Sequence, residues 1–165
     1  MKSIKIYFLS DDYVNYLRCF DKKIYYNKNS TRPYIGVVYQ IDNHNYFAPL
    51  ASPKPKHLIM NSKNIDIFKL DNGTLGIVNI NNMIPVPIDC LTEALPIIKD
   101  KNYKNLIIKQ LTFLNDNKQE LLNKVHLFML EYKKEHLPIN VKKRCCDFDL
   151  LEEKCKEYKI KYMEV

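Results

Sequence analysis

The chain has no tryptophan and only three glycines in 165 residues. Those three, Gly36, Gly73 and Gly76, fall in or beside predicted strands. No Walker loop and no GxGxxG turn can be written, so glycine-rich cradling of a nucleotide is excluded. GxSxG and HExxH are also missing, which removes the serine-hydrolase elbow and the zincin helix. Five cysteines are present, at positions 19, 90, 145, 146 and 155. Their number is odd, no CxxC occurs, and adjacent Cys145 and Cys146 suit neither a zinc knuckle nor a simple disulfide framework. They read as reduced thiols of a cytosolic protein. MKSIKIYFL lacks the apolar run of a signal peptide. No window approaches the ~20 apolar residues of a membrane span, so no membrane partner is expected. No acidic cluster suggests a metal site, and neither metal nor cofactor is expected.

Hydrophobic residues make up 46% of the chain, too many for a disordered tail. The length fits one domain over residues 1–165, and no repeat or linker divides it. Lys and Arg number 26 against 19 Asp and Glu. Residues 1–60 hold nine basic and four acidic side chains; the rest hold 17 and 15. The positive field therefore belongs to the N-terminal part, and nucleic acid is the simplest anionic partner. A pI near 9.0 alone fits a lysine-rich solvated surface equally well. The 12 Tyr and seven Phe offer rings to such a partner, though most such tyrosines are half-buried packing.

Periodicity predicts strands first and helices after. Residues 4–9 form a strand, and Ser10 caps a helix over 11–20. A polar loop covers 22–33. Tyr34–Ile41 is a strand, 42–45 a turn with an exposed His44, and Tyr46–Ala48 its short partner. Residues 65–70 and 74–80 flank the hairpin signal Asp71-Asn72-Gly73. Helical spacing covers 103–115 and 117–136, with Pro138 ending the second. Asp147 or Asp149 caps a last helix. This order predicts an α+β chain with a mostly antiparallel sheet or small open barrel.

The chemistry concentrates between Arg32 and His57, in RPYIGVVYQIDNHNYFAPLASPKPKH. Two strands empty into a loop that Pro53 and Pro55 stiffen. Ser52, Lys54, Lys56 and His57 give it a hydroxyl, two ammonium groups and an imidazole. Such groups suit metal-free cleavage of RNA, in which the 2′-hydroxyl attacks its own phosphate. Ser52 can bond a phosphate oxygen, while Lys54 and Arg32 stabilise the developing charge. Lys54 moves protons only if Lys56 or Arg32 lowers its pKa. Each also has a plain reading: Ser52 as a turn residue, Lys56 as a solvated charge, His57 as a strand-end cap. A non-catalytic RNA-binding module and a charged interaction protein remain the alternatives. Gln110, on an otherwise apolar helical face, needs a partner or is a structural amide.

Five segments resemble the ToxN/AbiQ family, the endoribonuclease toxins of type III toxin–antitoxin and phage-abortive systems. They are YIGVV at 34–38, YFAPLASPK at 46–54, LGIVNINNMIP at 75–85, KQLTFL at 109–114 and CDFDLLEEK at 146–154. The resemblance implies a MazF/Kid-like twisted antiparallel sheet or SH3-like barrel, with added helices mainly C-terminal. It implies metal-independent, sequence-selective cleavage of single-stranded cellular or phage mRNA, leaving 2′,3′-cyclic phosphate and 5′-hydroxyl ends. It also implies an RNA antitoxin, a pseudoknot cut from a repeat precursor and held in a toxin–RNA hetero-oligomer. The family's hydroxyl–proline–lysine motif lands on Ser52, Pro53 and Lys54. Ala51 stands where a second hydroxyl is common, and Arg32 where a basic residue precedes the first long strand. His57 falls where the motif tolerates a histidine. Tyr25 and Tyr26 compete for the family's loop aromatic. Lys56, His57, Tyr26 and Lys28 are the expected RNA contacts around the catalytic Ser52, Lys54 and Arg32.

Overall fold

The computed structural model describes residues 2–163. Alternating apolar residues make β1 (Lys5–Leu9), which buries Ile6, Phe8 and Leu9. Helix α1 (Asp11–Arg18) follows at Ser10, but the Ser10 hydroxyl makes no cap bond. The neighbouring Asp11 carboxylate instead accepts the Asn27 amide and the Ser30 N–H, each at 2.8 Å. That pair ties the polar loop after α1 to the start of the helix.

Strands β2 (Tyr34–Ile41) and β3 (His44–Ala51) form a hairpin across Asp42 and Asn43, with Asp42 at φ 49°. Strand β3 is longer than the Tyr46–Ala48 segment read from sequence, and His44, expected exposed in the turn, is its buried first residue. Neighbours explain the length. One edge of β3 pairs with β2 throughout. The other edge takes β5 (Ile77–Asn79) at Leu50–Ala51 and β6 (Ile84–Pro85) at Tyr46–Phe47. Outside β5, β4 (Ile67–Lys69) pairs with it as the edge strand. A short strand missed in the sequence, β7 (Leu91–Glu93), covers the free edge of β1. The result is a seven-stranded antiparallel sheet in the order β4-β5-β3-β2-β1-β7, with β6 beside β3. The α+β expectation of a twisted antiparallel sheet with C-terminal helices is met.

Short α2 (Pro55–Ile59) interrupts the strands, and four helices follow them: α3 (Lys101–Asp116), α4 (Lys118–Lys133), α5 (Ile139–Arg144) and α6 (Phe148–Tyr162). Helix α4 stops before the predicted Pro138, because Glu135 turns left-handed at φ 58°. Pro138 instead caps α5, which the sequence reading did not contain. Asp147, not Asp149, caps α6 by accepting the Leu150 N–H. Phe148 is the hub of the core. Its ring packs edge-on against Tyr46 at 5.7 Å and Phe128 at 6.1 Å, and tilted against Tyr132 at 4.7 Å. Tyr13 and Tyr16 of α1 meet Tyr158 of α6 at 4.9 and 5.0 Å. Most tyrosines are thus packing: Tyr13 donates its hydroxyl to the Pro85 carbonyl and Tyr46 to Glu152, while the buried Tyr34 hydroxyl has no partner among the described residues.

A buried polar network joins sheet to helices. The carboxylate of Asp66 is 1% exposed and accepts from Arg144 Nε at 2.6 Å. Its backbone carbonyl accepts the N–H groups of Ile80 and Asn81. Asn81 and Asn82 in turn donate to the carbonyls of Arg144 and Lys23. Removing the guanidinium leaves a buried carboxylate unpaired. Arg144→Met is therefore expected to lower unfolding stability by about 3 kcal/mol, and the double variant with Asp66→Asn by clearly less. Urea unfolding of the single and double variants checks this.

Candidate active site

The segment after β3 is fixed from behind by the β4–β5 hairpin. Its turn runs left-handed through Asp71, Asn72 and Gly73 at φ 47°, 52° and 95°. A Cβ on Gly73 would lie 2.4 Å from the His57 carbonyl oxygen. One on Gly76, itself at φ 101°, would lie 2.0 Å from the Ala51 oxygen. Backbone therefore packs on backbone, and both glycines are required for space as well as dihedral. Lys69 adds a side-chain clamp, donating to the carbonyls of Leu58 and Met60 at 3.2 and 2.9 Å. Gln110 holds the hairpin itself. Buried on α3, it donates to the Leu75 carbonyl at 2.8 Å, so it is the structural amide.

The sequence reading expects a loop throughout this segment, but Pro55 opens α2 at its first position. Pro is tolerated there because no intrahelical N–H is needed, a signal present in the sequence but passed over. Lys54 is the N-cap. Its N–H donates to His57 Nδ1 at 3.1 Å, and its carbonyl accepts the His57 N–H at 2.9 Å. His57 is 1% exposed. With Nδ1 accepting, its neutral ring carries the proton on Nε2. Burial first, then Lys56, Lys54 and Lys69, hold its pKa below the usual histidine value.

A concave pocket of about 170 Å³ opens on this segment, lined by Tyr25, Arg32, Ala51, Lys54, Lys56, His57, Ile77 and Asn79. Three basic side chains, of Arg32, Lys54 and Lys56, line it and no carboxylate does. Such a wall focuses positive potential on whatever enters, and phosphate is the fitting guest. Arg32 is held in place: its Nε donates to the Tyr26 carbonyl at 2.6 Å, and its guanidinium lies 4.8 Å from the Tyr25 ring centre. The Nη groups remain for a ligand. Burial raises the Tyr25 pKa and Arg32 opposes the rise.

Of the residues singled out in sequence, Arg32, Lys54, Lys56 and His57 meet in this pocket. Ser52 lies exposed at the end of β3, one residue from the lining Ala51. Tyr26 is 72% exposed, its ring under the Arg18 guanidinium at 3.7 Å. Lys28 is exposed in a left-handed turn with Asn29 and Ser30. Neither Tyr26 nor Lys28 lines the pocket; Tyr25 does. Ile77 and Asn79 were missed, because strand membership alone does not say what an alternate face looks at. Among the described residues no three His, Cys, Asp or Glu side chains group to hold a metal ion.

The profile of Toxin ToxN of the type III toxin–antitoxin system matches residues 5–156. The chain belongs to the ToxN family. It is 39% identical to the endoribonuclease ToxN of Bacillus thuringiensis subsp. kurstaki, over 94% of this chain and 84% of that protein. It is similar in structure to AbiQ, a lactococcal anti-phage endoribonuclease of the type III class. The TM-score is 0.84 at 29% identity, covering 97% of this chain and 100% of AbiQ. A second match is a type III toxin inhibited selectively by a non-coding RNA pseudoknot. It gives 0.78 at 35% identity, covering 96% and 99% of the two chains.

In this ToxN-family chain His57 is the hinge of the pocket. Asn places an acceptor near the Nδ1 position, whereas Gln reaches toward Nε2. His57→Asn is therefore expected to keep most stability, and His57→Gln to lose about 1 kcal/mol by leaving the Lys54 N–H unpaired. The pH dependence follows from the depressed pKa. As pH falls below the unfolded value of about 6.5, the unfolded chain takes the proton first, so stability drops toward the folded pKa. Above that window the contribution is fully present. His57→Asn is expected to flatten the acid slope, leaving the share of buried His44, whose pKa is also lowered by burial. Chemical denaturation at pH 5.5 and 7.5 measures both effects.

Proposed function

We propose that this chain is a metal-independent, sequence-selective endoribonuclease toxin acting on single-stranded RNA at the Arg32–Lys54 pocket. One observation supports this reading of the site: the basic side chains of Arg32, Lys54 and Lys56 line one small pocket without a carboxylate, in a chain of the ToxN family. The 2′-oxygen attacks phosphorus, the bond to the 5′-oxygen breaks, and a cyclic phosphate and a 5′-hydroxyl result. Charge grows on the equatorial oxygens. Arg32 meets it with its planar fork and Lys54 with an ammonium point charge. Ser52, at the rim, donates its hydroxyl to a phosphate oxygen. His57, with Nδ1 committed to the Lys54 N–H, offers only a neutral Nε2–H. It shapes the segment and donates to RNA but takes no proton.

The inhibitor in this reading is an RNA pseudoknot cut from a repeat precursor by the same pocket, held in a toxin–RNA hetero-oligomer. Exposed Tyr26 on Arg18 offers a base a stacking face, and Lys28 and Lys56 offer charge to the backbone. No helix of the described residues is long and apolar enough to cross a membrane. Free thiols at all five cysteines agree with a cytoplasmic site of action against phage, by abortive infection.

Purified protein incubated with cellular RNA in EDTA is expected to yield new 5′-hydroxyl and 2′,3′-cyclic phosphate ends. Retarded but intact RNA would instead support a binding module. Lys54→Ala and Ser52→Ala should each cut cleavage by at least about 100-fold with unchanged melting, since both lie exposed outside the core. Arg32→Lys should lose part of the rate and Arg32→Ala much more. Affinity for the antitoxin RNA should fall steeply with salt as bound phosphates release counterions; a flat titration would count against an RNA partner on this face.

A further inference from the structure

We propose that Asn79 aims the attacking 2′-hydroxyl at its phosphate, an inference that rests on the endoribonuclease reading above. Asn79 ends β5, where side chains alternate: Val78 is fully buried in the core, while Ile77 and Asn79 line the pocket. Asn79 is 9% exposed, yet its amide bonds to none of the described residues. Every other buried amide donates to a backbone carbonyl: Asn27 to Leu9, Asn81 to Arg144, Asn82 to Lys23 and Gln110 to Leu75. Asn27, Asn81 and Gln110 also leave an oxygen without a partner, but those oxygens are enclosed; the Asn79 amide faces the pocket, where what enters can complete it.

The donor and acceptor inventory says what that is. Arg32, Lys54 and Lys56 only donate. His57 has spent Nδ1 on the Lys54 N–H. Ala51 and Ile77 have no polar side-chain atom. A phosphodiester, which only accepts, is fully served by these donors. The ribose hydroxyl is not, because its proton must point to an acceptor before its lone pair can face phosphorus. The hydroxyls of Tyr25 and Ser52 can accept, but each carries a proton of its own. The Asn79 oxygen accepts without one, and its NH₂ can donate to a phosphate oxygen at the same time. One amide thus spans the two groups that must meet. The new bond joins the 2′-oxygen to phosphorus and the bond to the 5′-oxygen breaks. The 2′-proton passes to a base and the 5′-oxygen gains a proton, with no net water consumed. Asn79 neither gains nor loses a proton.

The test is the single-turnover rate at saturating RNA for Asn79→Leu, which keeps the volume without the polar atoms, and Asn79→Asp, which keeps the oxygen. Leu is expected to slow cleavage by about 100-fold and Asp by no more than about tenfold. Asp should also bring an acid limb to the rate–pH profile, which a merely structural residue would not. If Asn79→Leu does not melt cooperatively, Asn79→Ala takes its place with the same expected loss. A leucine or alanine rate near wild type, equal losses for Leu and Asp, or a changed cut site at unchanged rate would each overturn the proposal. Wild type is run beside them on RNA carrying one 2′-deoxynucleotide at the cut site. Cleavage of that substrate would instead overturn the 2′-attack reading itself, whatever the Asn79 variants do.

Discussion

The close approach of Gly73 and Gly76 to the backbone of residues 51–58 is the constraint on which the pocket depends. No side chain fits at either contact, since an added Cβ would sit 2.4 or 2.0 Å from a carbonyl oxygen. The hairpin therefore acts as a mould for the segment. Its strand β5 pairs Ala51 with Ile77, and this register sets Asn79 on the pocket wall. The mould is itself held from a distance. Gln110, some 35 residues later in sequence, grips the Leu75 carbonyl between the two glycines' positions. The C-terminal helices supply no pocket residue, yet α3 helps fix the pocket's shape through that one bond.

Holding three cations together without a carboxylate has an electrostatic cost. Each repels the others across a partly desolvated space. The protein limits that cost by geometry instead of neutralisation. Arg32 is stacked on Tyr25 and tied to the Tyr26 carbonyl. The backbone of Lys54 is fixed by a cap exchange with His57, whose neutral ring adds no further charge. Lys69 spends its donors on the end of α2. The repulsion that remains favours an anion in the pocket.

Much of this was legible in the sequence. Strand patterning marked β1 and β2, the Asp71-Asn72-Gly73 turn signal marked the β4–β5 hairpin, and helical spacing marked α3, α4 and α6. The SPKPKH run marked the segment on which the pocket opens. What escaped has physical reasons. Helices α2 and α5 have five and six residues, too short to show a period. Strand β7 has three, largely exposed, and owes its existence to the edge of β1. His44 looked like a turn residue because DNHN carries a turn composition; only the β2–β3 register buries it. Asn79 was hidden for a different reason. An asparagine in a strand gives no sign of whether its amide has a partner, and that absence is a property of the folded neighbourhood.

The five segments that carry the family resemblance are far apart in the chain but consecutive in space. Tyr34–Val38 lies beside Tyr46–Ala51 across the β2–β3 hairpin. The end of β3 rests on Gly76, and Leu75 hangs on Gln110. Asn81 and Asn82 bind the Arg144 carbonyl, and the Asn81 carbonyl accepts the Cys146 N–H. Phe148 then returns to Tyr46 in the core. The signature closes on itself as a ring of contacts through the sheet, α3 and α6. Its third member, LGIVNINNMIP, donates two asparagines to this frame and leaves a third, Asn79, on the wall of the pocket. The first two have backbone partners because the frame needs them. The third has none because its partner is not part of the protein.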